Sequence, residues 1–380
     1  MSTPSISIAA QPSLGEIAVV FLKLGTTAFG GPAAHIAMMH DEFVRRRRWI
    51  SEEEFLDRLG AANLIPGPSS TEMAIHIGLL KRGWRGLLVA GLCFIVPAVI
   101  LVGIIAAIYI RYGAIPRVAG VMVAVKPVVI AIIVQAFWNL GKTAVKGWWL
   151  GTIGVLAAAA YLFGAHELLV LLGAALLASL PMWSQQAKRA AALWVGALPA
   201  AAASDIVPVS LPRLFLTFLK IGSVLFGSGY VLLAFLRGDF VDRLQWLTQQ
   251  QLLDAVAVGQ ITPGPVFTTA TFIGYIIAGP RGAAVATVAI FLPAFLLVAI
   301  SGPLVPRIRK SKVASAALDG VVVASLALMG VVAWQLGRDA IINWQTLVIA
   351  LVSAVLLLRW KVNSAWLILG TAVIGVVWRP

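Results

Sequence analysis

Apolar tracts recur from one end of the chain to the other, and no stretch between them is long enough to make an independent soluble domain. Nine tracts run on with few or no charges and predict membrane-spanning helices. Five lie in the first part: Gly86–Ile110, Val118–Leu140, Trp148–Phe163, Leu168–Met182 and a weaker Ala190–Ala203. Four lie in the second: Gly282–Val305, Val313–Leu336, Trp344–Leu358 and Ala365–Val377. Four further tracts are interrupted. Leu14–Arg45 breaks at Gly30-Gly31-Pro32, and Ser51–Lys81 at Pro66-Gly67-Pro68. Leu211–Asp242 breaks at Gly227-Ser228-Gly229, and Thr248–Ala278 at Pro263-Gly264-Pro265. Ser51 with Glu54, and Thr248 with Gln251, have the spacing of capping boxes and mark helix starts. From each of these caps to its Pro-Gly-Pro there are about 14 residues, short of the roughly 20 that a span needs. The interrupted tracts therefore predict helices that enter the membrane, break near its middle, and return or continue. Broken backbone at that depth is tolerated only where protein buries it or it lines a cavity.

The interruptions come in pairs because the chain is a repeat. Phe21-Leu22-Lys23-Leu24-Gly25 recurs as Phe218-Leu219-Lys220-Ile221-Gly222, and Phe29-Gly30 as Phe226-Gly227. Trp49, Asp57 and Pro66-Gly67-Pro68 match Trp246, Asp254 and Pro263-Gly264-Pro265 at the same offset of 197 residues. After a one-residue gap, Gly83, Arg85, Gly86 and Pro97 match Gly279, Arg281, Gly282 and Pro293. Two homologous halves, 12–187 and 205–380, follow, with 188–204 a linker or an extra span. The predicted fold is an all-α polytopic membrane protein in which each half carries two broken or re-entrant segments followed by full spans.

Composition agrees. Of 380 residues, 60% are apolar and only 12% charged, against about 25% charged in soluble domains. The net charge of +14 superficially suggests a nucleic-acid partner, but cytoplasmic loops of multi-pass proteins collect Lys and Arg, which accounts for it better. With a cytoplasmic N-terminus and both broken segments returning, five spans separate the repeats, so the second half is inverted. Seventeen basic residues, among them Arg45 to Arg48, Lys81, Arg82, Lys142, Lys146 and Arg307 to Lys312, then face inward and seven outward, as the positive-inside rule requires. The N-terminus lacks the basic start of a cleavable signal. A single cysteine, Cys93, excludes an internal disulfide or thiolate cluster.

Five basic residues remain at membrane depth: Lys23, Arg58, Lys126, Lys220 and Arg237. Ionisable groups there are costly and mark pathways. Lys23 and Lys220 are repeat-equivalent; they either snorkel to an interface or flank one central site as a pair of cations. Lys126, before Pro127 in mid-span, points to a functional or paired role. A helix that starts in mid-membrane offers unpaired N–H groups and a positive dipole end, an arrangement that binds anions at the breaks of inverted-repeat transporters. Ser69, Ser70 and Thr71 follow the first Pro-Gly-Pro, and Thr268, Thr269 and Thr271 the second. They either add donors for a small oxyanion or merely cap the half-helices. Glu72, one turn in, can carry a proton or balance a lysine, and His76 four residues on shares its face. Asp57 and Asp254 are expected to anchor Arg58, Arg237 or backbone donors, and Asp319 a neighbouring helix. His35 and His40 are five apart and do not share a helical face, so no metal site is expected. No nucleotide-binding loop is present either.

Phe29-Gly30-Gly31-Pro32 after Phe21-Leu22-Lys23-Leu24-Gly25, with Trp49-Ile50-Ser51 and Pro66-Gly67-Pro68, resembles the chromate ion transporter family in its long two-domain form. The resemblance covers both halves. It implies a multi-pass carrier of the bacterial inner membrane that exports chromate, driven by the proton gradient, and confers chromate resistance, with no cofactor. Gly227-Ser228-Gly229 lacks the proline of the first half, which places the main substrate contacts in the first half. By chemistry alone a sulfate-like oxyanion fits the same donors. A passive anion channel and a membrane-embedded reductase are the competing readings, the latter opposed by the absence of redox motifs. A homodimer is compatible with the sequence.

Overall fold

The computed structural model describes residues 11–62, 64–112, 116–182, 208–225, 231–360 and 362–377. Helix α1 (Leu14–Thr27) starts at a capping box in which Ser13 and Glu16 satisfy each other's backbone N–H groups. It ends where Ala28 turns extended, and Gly30 at φ 104° redirects the chain into α2 (Gly31–His40), which runs on as a π-helical turn over Asp41–Arg46. The break thus falls at residues 28–30, while Gly31 and Pro32 already belong to the next helix, where proline at a first turn costs no hydrogen bond. Helix α3 (Glu52–Ala62) follows, with the reciprocal Ser51–Glu54 bonds in place. Then come α4 (Ser69–Tyr112), α5 (Pro116–Ala144), α6 (Trp148–Leu162) and α7 (Glu167–Ser179).

The second half repeats the series as α8 (Leu211–Val224), α9 (Leu232–Leu236) with a π-helical turn over Arg237–Arg243, α10 (Gln249–Ile261), α11 (Thr269–Lys310), α12 (Lys312–Ala340), α13 (Trp344–Arg359) and α14 (Ser364–Val377). The capping box of Thr248 and Gln251 opens α10. Even local strain is duplicated: Arg48 and its equivalent Gln245 both sit at φ 52°. Gly227-Ser228-Gly229 and the weak span Ala190–Ala203 lie outside the described residues.

Helices α4 and α11 are hairpins rather than single rods. At Arg82-Gly83 and Ala278-Gly279 the backbone leaves helical geometry, with the glycines at φ 57° and 62°, angles that favour glycine. The chain reverses there, so that Gly78 packs on the backbone of Gly86, and Gly274 on that of Gly282. Residues 69–81 are therefore a half-helix lying back along the span 84–112. Likewise α1 and the π-helical turn lie side by side: the rings of Phe21 and Phe43, on either side of the break, are 5.1 Å apart. Arg82 Nε donates to the Pro12 carbonyl at 2.7 Å, putting the start of α1 beside the end of the half-helix. Both broken segments of the first half accordingly return to the end of the bundle that carries Arg45–Arg48, here called the arginine end.

The halves are inverted. Along α4, Gly91 touches Phe295 of α11, whereas the ring of Tyr109, further on, lies tilted against that of Phe272 with centroids 5.2 Å apart. Phe272 belongs to the second half-helix, at the level of Thr271, which bonds Thr287 at 2.7 Å. Advancing along α4 thus means retreating along its repeat equivalent. Four described stretches, Ser69–Tyr112, Gly120–Ala144, Val266–Ile300 and Lys312–Ala340, are long and apolar enough to cross a membrane, and four shorter helices are apolar. Most exposed side chains on these helices, such as Ile100, Val155, Leu296 and Leu351, are themselves apolar, as lipid contact demands. The chain is an all-α polytopic membrane protein of two homologous halves.

Candidate functional site

Each Pro-Gly-Pro break meets the end of the other half's first helix, and their backbone bonds exchange between halves. The Gly67 N–H donates to the Leu225 carbonyl at 2.7 Å, and the Gly264 N–H to the Ala28 carbonyl at 2.9 Å. Gly264 answers Gly67, and Leu225 answers Ala28, so the two bonds are one contact related by the pseudo-twofold. Each Pro-Gly-Pro thereby satisfies the end of the other half's first helix, and backbone that leaves helical form in mid-membrane is buried in protein as it must be. Pro265 holds the chain extended at its break and brings it into the half-helix; the Pro68 carbonyl accepts from the N–H groups of Thr71 and Glu72 at 2.8 and 3.0 Å. Ala294 packs beside Gly67, and Ala98 beside Gly264. Around Gly67 and Gly264 the junction is closely packed.

The hydroxyls at the two half-helix starts differ. In the second half, Thr268 and Thr269 donate to the carbonyls of Pro265 and Val266, both at 2.8 Å. They act as local caps. In the first half, Ser69, Ser70 and Thr71 are buried, and the Thr71 hydroxyl has no hydrogen-bond partner among the described residues. Glu72 is 0% exposed; its carboxyl folds back against Gly67, and neither oxygen has a hydrogen-bond partner among the described residues. Both ring nitrogens of buried His76 also lack a hydrogen-bond partner among the described residues. Glu72 and His76 share a buried face but do not bond to each other.

The membrane-depth cations go to separate places. Lys23 is exposed in a groove of about 350 Å³ formed wholly by α1, α2 and the π-helical turn, with Thr27, Asp41, Glu42 and Arg46 as the other polar walls. Asp41 engages Arg46 at 2.7 Å and Glu42 engages Arg47 at 2.7 Å, which leaves Lys23 without an ion pair among the described residues. Its equivalent is not free. Lys220 meets Asp239 at 2.5 Å, Asp239 also holds Arg243 at 2.8 Å, and Arg243 reaches Glu167 of α7 at 2.8 Å. Lys23 and Lys220 therefore do not face a common cavity as the repeat suggested. Nor does Lys126 join either; it pairs with Asp254 at 3.0 Å and donates to Gln250. The expected anchoring of Arg58 or Arg237 by Asp254 is thus replaced by Lys126 and by the Tyr109 hydroxyl, which donates to Asp254 at 2.7 Å. Arg237 lies 3.4 Å from Asp242 instead, and Asp319 binds Lys146 at 2.7 Å.

Asp239, Arg243, Glu167 and Tyr109 escaped sequence reasoning. One signal was available: Asp239 and Arg243 answer Glu42 and Arg46 in the repeat. No repeat relation points to Glu167 or Tyr109. His35 bonds the Ala28 carbonyl at 3.0 Å and His40 bonds Glu52, so each histidine is engaged separately. A second cavity, about 970 Å³ between α5, α6 and α12, is lined by residues such as Phe137, Val155 and Trp334, with Arg338 its one charged wall. It offers an anion almost nothing to bind.

The duplicated, inverted set of re-entrant helices covers both halves of the chain, and the comparisons give the family. The model of the chromate transporter family matches residues 15–179 and again 212–376. The chain belongs to that family. It is 33% identical to a chromate transport protein of Cupriavidus metallidurans over 99% of this chain and 96% of that protein. It is 35% identical to a probable chromate transport protein of Synechococcus elongatus, covering 82% and 81% of the two chains. A chromate transport protein of Pseudomonas aeruginosa is 33% identical over 79% of this chain and 76% of its own. No solved structure matches. Family membership spans both halves, so the groove at Lys23 and the buried Glu72 belong to the family's own repeat and not to an appended module.

Proposed function

We propose that the chain exports chromate across the bacterial inner membrane by secondary active transport coupled to protons, and so gives chromate resistance. The observation that carries this reading is the first-half pair of features: a solvent-open groove whose Lys23 has no counter-ion among the described residues, and, at the tip of the same half, a fully buried carboxyl without a partner among them. A doubly negative tetrahedral ion needs cations with N–H donors, and the Lys23 ammonium borders one groove with Arg46, which Asp41 holds at 2.7 Å. Burying an unpaired charge is costly, so Glu72 is suited to taking up a proton and giving it back as its surroundings change. His76 stands close enough along the same half-helix to serve as the next proton station. In the second half the matching cation is already matched by Asp239, and the matching acid is Thr269. The first half is the working half. Names of relatives support chromate as the cargo.

Everted membrane vesicles test the proposal. Chromate uptake is expected to accelerate when a proton gradient is imposed and to collapse with a protonophore, while excess sulfate competes weakly. Glu72→Gln is expected to leave uptake insensitive to the gradient. Flux that follows only the chromate gradient in the parent protein defeats the carrier reading in favour of a channel, and sulfate outcompeting chromate reassigns the cargo.

A further inference from the structure

The two halves are equivalent in sequence but not in surroundings. Leu56 of α3 and Leu253 of α10 answer each other in the repeat, yet Leu56 is 55% exposed and Leu253 is 0% exposed. Asp57 is exposed, while its equivalent Asp254 is buried at 5%. The same contrast holds for the cores. Side chains of α8, α9 and α10 join one large apolar core with α5, α6, α7 and α12. Those of α1, α2 and α3 form smaller clusters, chiefly with their own α4. In an inverted repeat, such a difference means that one end of the bundle is open and the other closed. Here the arginine end is open, and the end holding α10 is shut.

What shuts it is a charged contact between halves. Asp254, on α10, meets Lys126 of α5 at 3.0 Å and accepts from the Tyr109 hydroxyl of α4 at 2.7 Å. Lys126, 6% exposed, also donates to Gln250 one turn before Asp254. Lys126 and Asp254 are each held where leaving the partner behind is expensive. The repeat provides nothing similar at the other end, because the positions answering Tyr109 and Lys126 are Val305 and Val322. We propose that Lys126, Asp254 and Tyr109 form a one-sided latch that keeps the α10 end closed, so that the conformer open at the arginine end is the resting one. Opening the α10 end requires α10 to leave α4 and α5, and this latch must rupture first. The inference concerns the resting conformer and is independent of the cargo.

Thiol labelling reads it without any oxyanion present. In a Cys93→Ser background in lipid nanodiscs, where both faces are accessible, Leu56→Cys is expected to react quickly with a charged maleimide and Leu253→Cys slowly. Adding Tyr109→Phe or Lys126→Met is expected to speed reaction at Leu253→Cys by about tenfold or more, the equivalent of one charged hydrogen bond, while the rate at Leu56→Cys stays put. The latch is overturned if Leu253→Cys reacts as fast as Leu56→Cys in the otherwise unaltered protein, or if neither substitution changes its rate. Equal acceleration at both positions, the sign of general loosening, overturns it as well.

Discussion

Lys23 and Lys220 show how much a residue's role depends on what the fold puts beside it. Sequence made them twins. In the structure, Asp239 neutralises Lys220, and Arg243 and Glu167 extend that contact into α7. Lys23 has the corresponding acid, Glu42, within its groove, but Arg47 engages that acid at 2.7 Å, and Leu244 occupies the matching place in the second half. One extra arginine therefore releases one lysine. Lys23→Ala is expected to cut the initial rate of chromate uptake by about tenfold or more, the worth of a charge-assisted contact, with the amount of protein in the membrane unchanged. Lys220→Ala should instead reduce that amount, since it removes one of the two cations that neutralise the buried Asp239 carboxylate and leaves Arg243 to serve both Asp239 and Glu167. Quantitative blotting beside the uptake measurement separates the two effects, and a transport loss without a protein loss in Lys220→Ala contradicts the division of labour.

At the scale of elements, the breaks were the most legible part of the chain. Glycine and proline punctuate helices for local reasons that need no knowledge of neighbours, and duplication removed chance. Pro66-Gly67-Pro68 and the two capping boxes stand where the sequence put them, and the first break is displaced by only two residues. Gly67 is held at φ 143°, and a Cβ there meets the Glu72 carboxyl at 2.5 Å and Ala294 at 3.5 Å. Gly83 also has positive φ, yet nothing lies within 4 Å of its Cβ position. Alanine at Gly83 should cost about 1–3 kcal/mol from backbone conformation alone. At Gly67 the collision adds to a similar strain, so Gly67→Ala should lower the thermal unfolding midpoint of the solubilised protein further. A smaller loss at Gly67 than at Gly83 argues that the tip is loose. Ion-pair partners were far less legible. Asp254 was expected to anchor Arg58, Arg237 or backbone donors, but it lies with Lys126, which is 128 residues away in the chain. Such choices depend on which helices pack side by side, and hydropathy does not encode that.

The whole molecule rests on inversion, which places two equivalent strained residues at opposite ends. Arg48 and Gln245 each follow a π-helical turn, each sits at φ 52° and each is exposed. Arg48 stands in the run Arg45–Arg48 at the arginine end, where Lys81, Arg82 and Arg85 also gather. Arg307 to Lys312, at the link between α11 and α12, belong to that end too, because α12 begins where Asp319 meets Lys146. Gln245 lies at the other end, beside α10, in a loop with little basic charge. Cytoplasmic loops retain Lys and Arg, so the arginine end is expected to face the cytoplasm. In intact cells of a Cys93→Ser strain, a membrane-impermeant maleimide should label Gln245→Cys and spare Arg48→Cys, and in everted vesicles the pattern should reverse. Labelling of both from one side means parallel halves, which the antiparallel crossing of α4 and α11 forbids. Labelling in the opposite sense keeps the inversion but turns the molecule over. In that case the open groove at Lys23 faces outward, and the export proposal loses the geometry that supports it, because an exporter at rest with its groove open should present that groove to the cytoplasm.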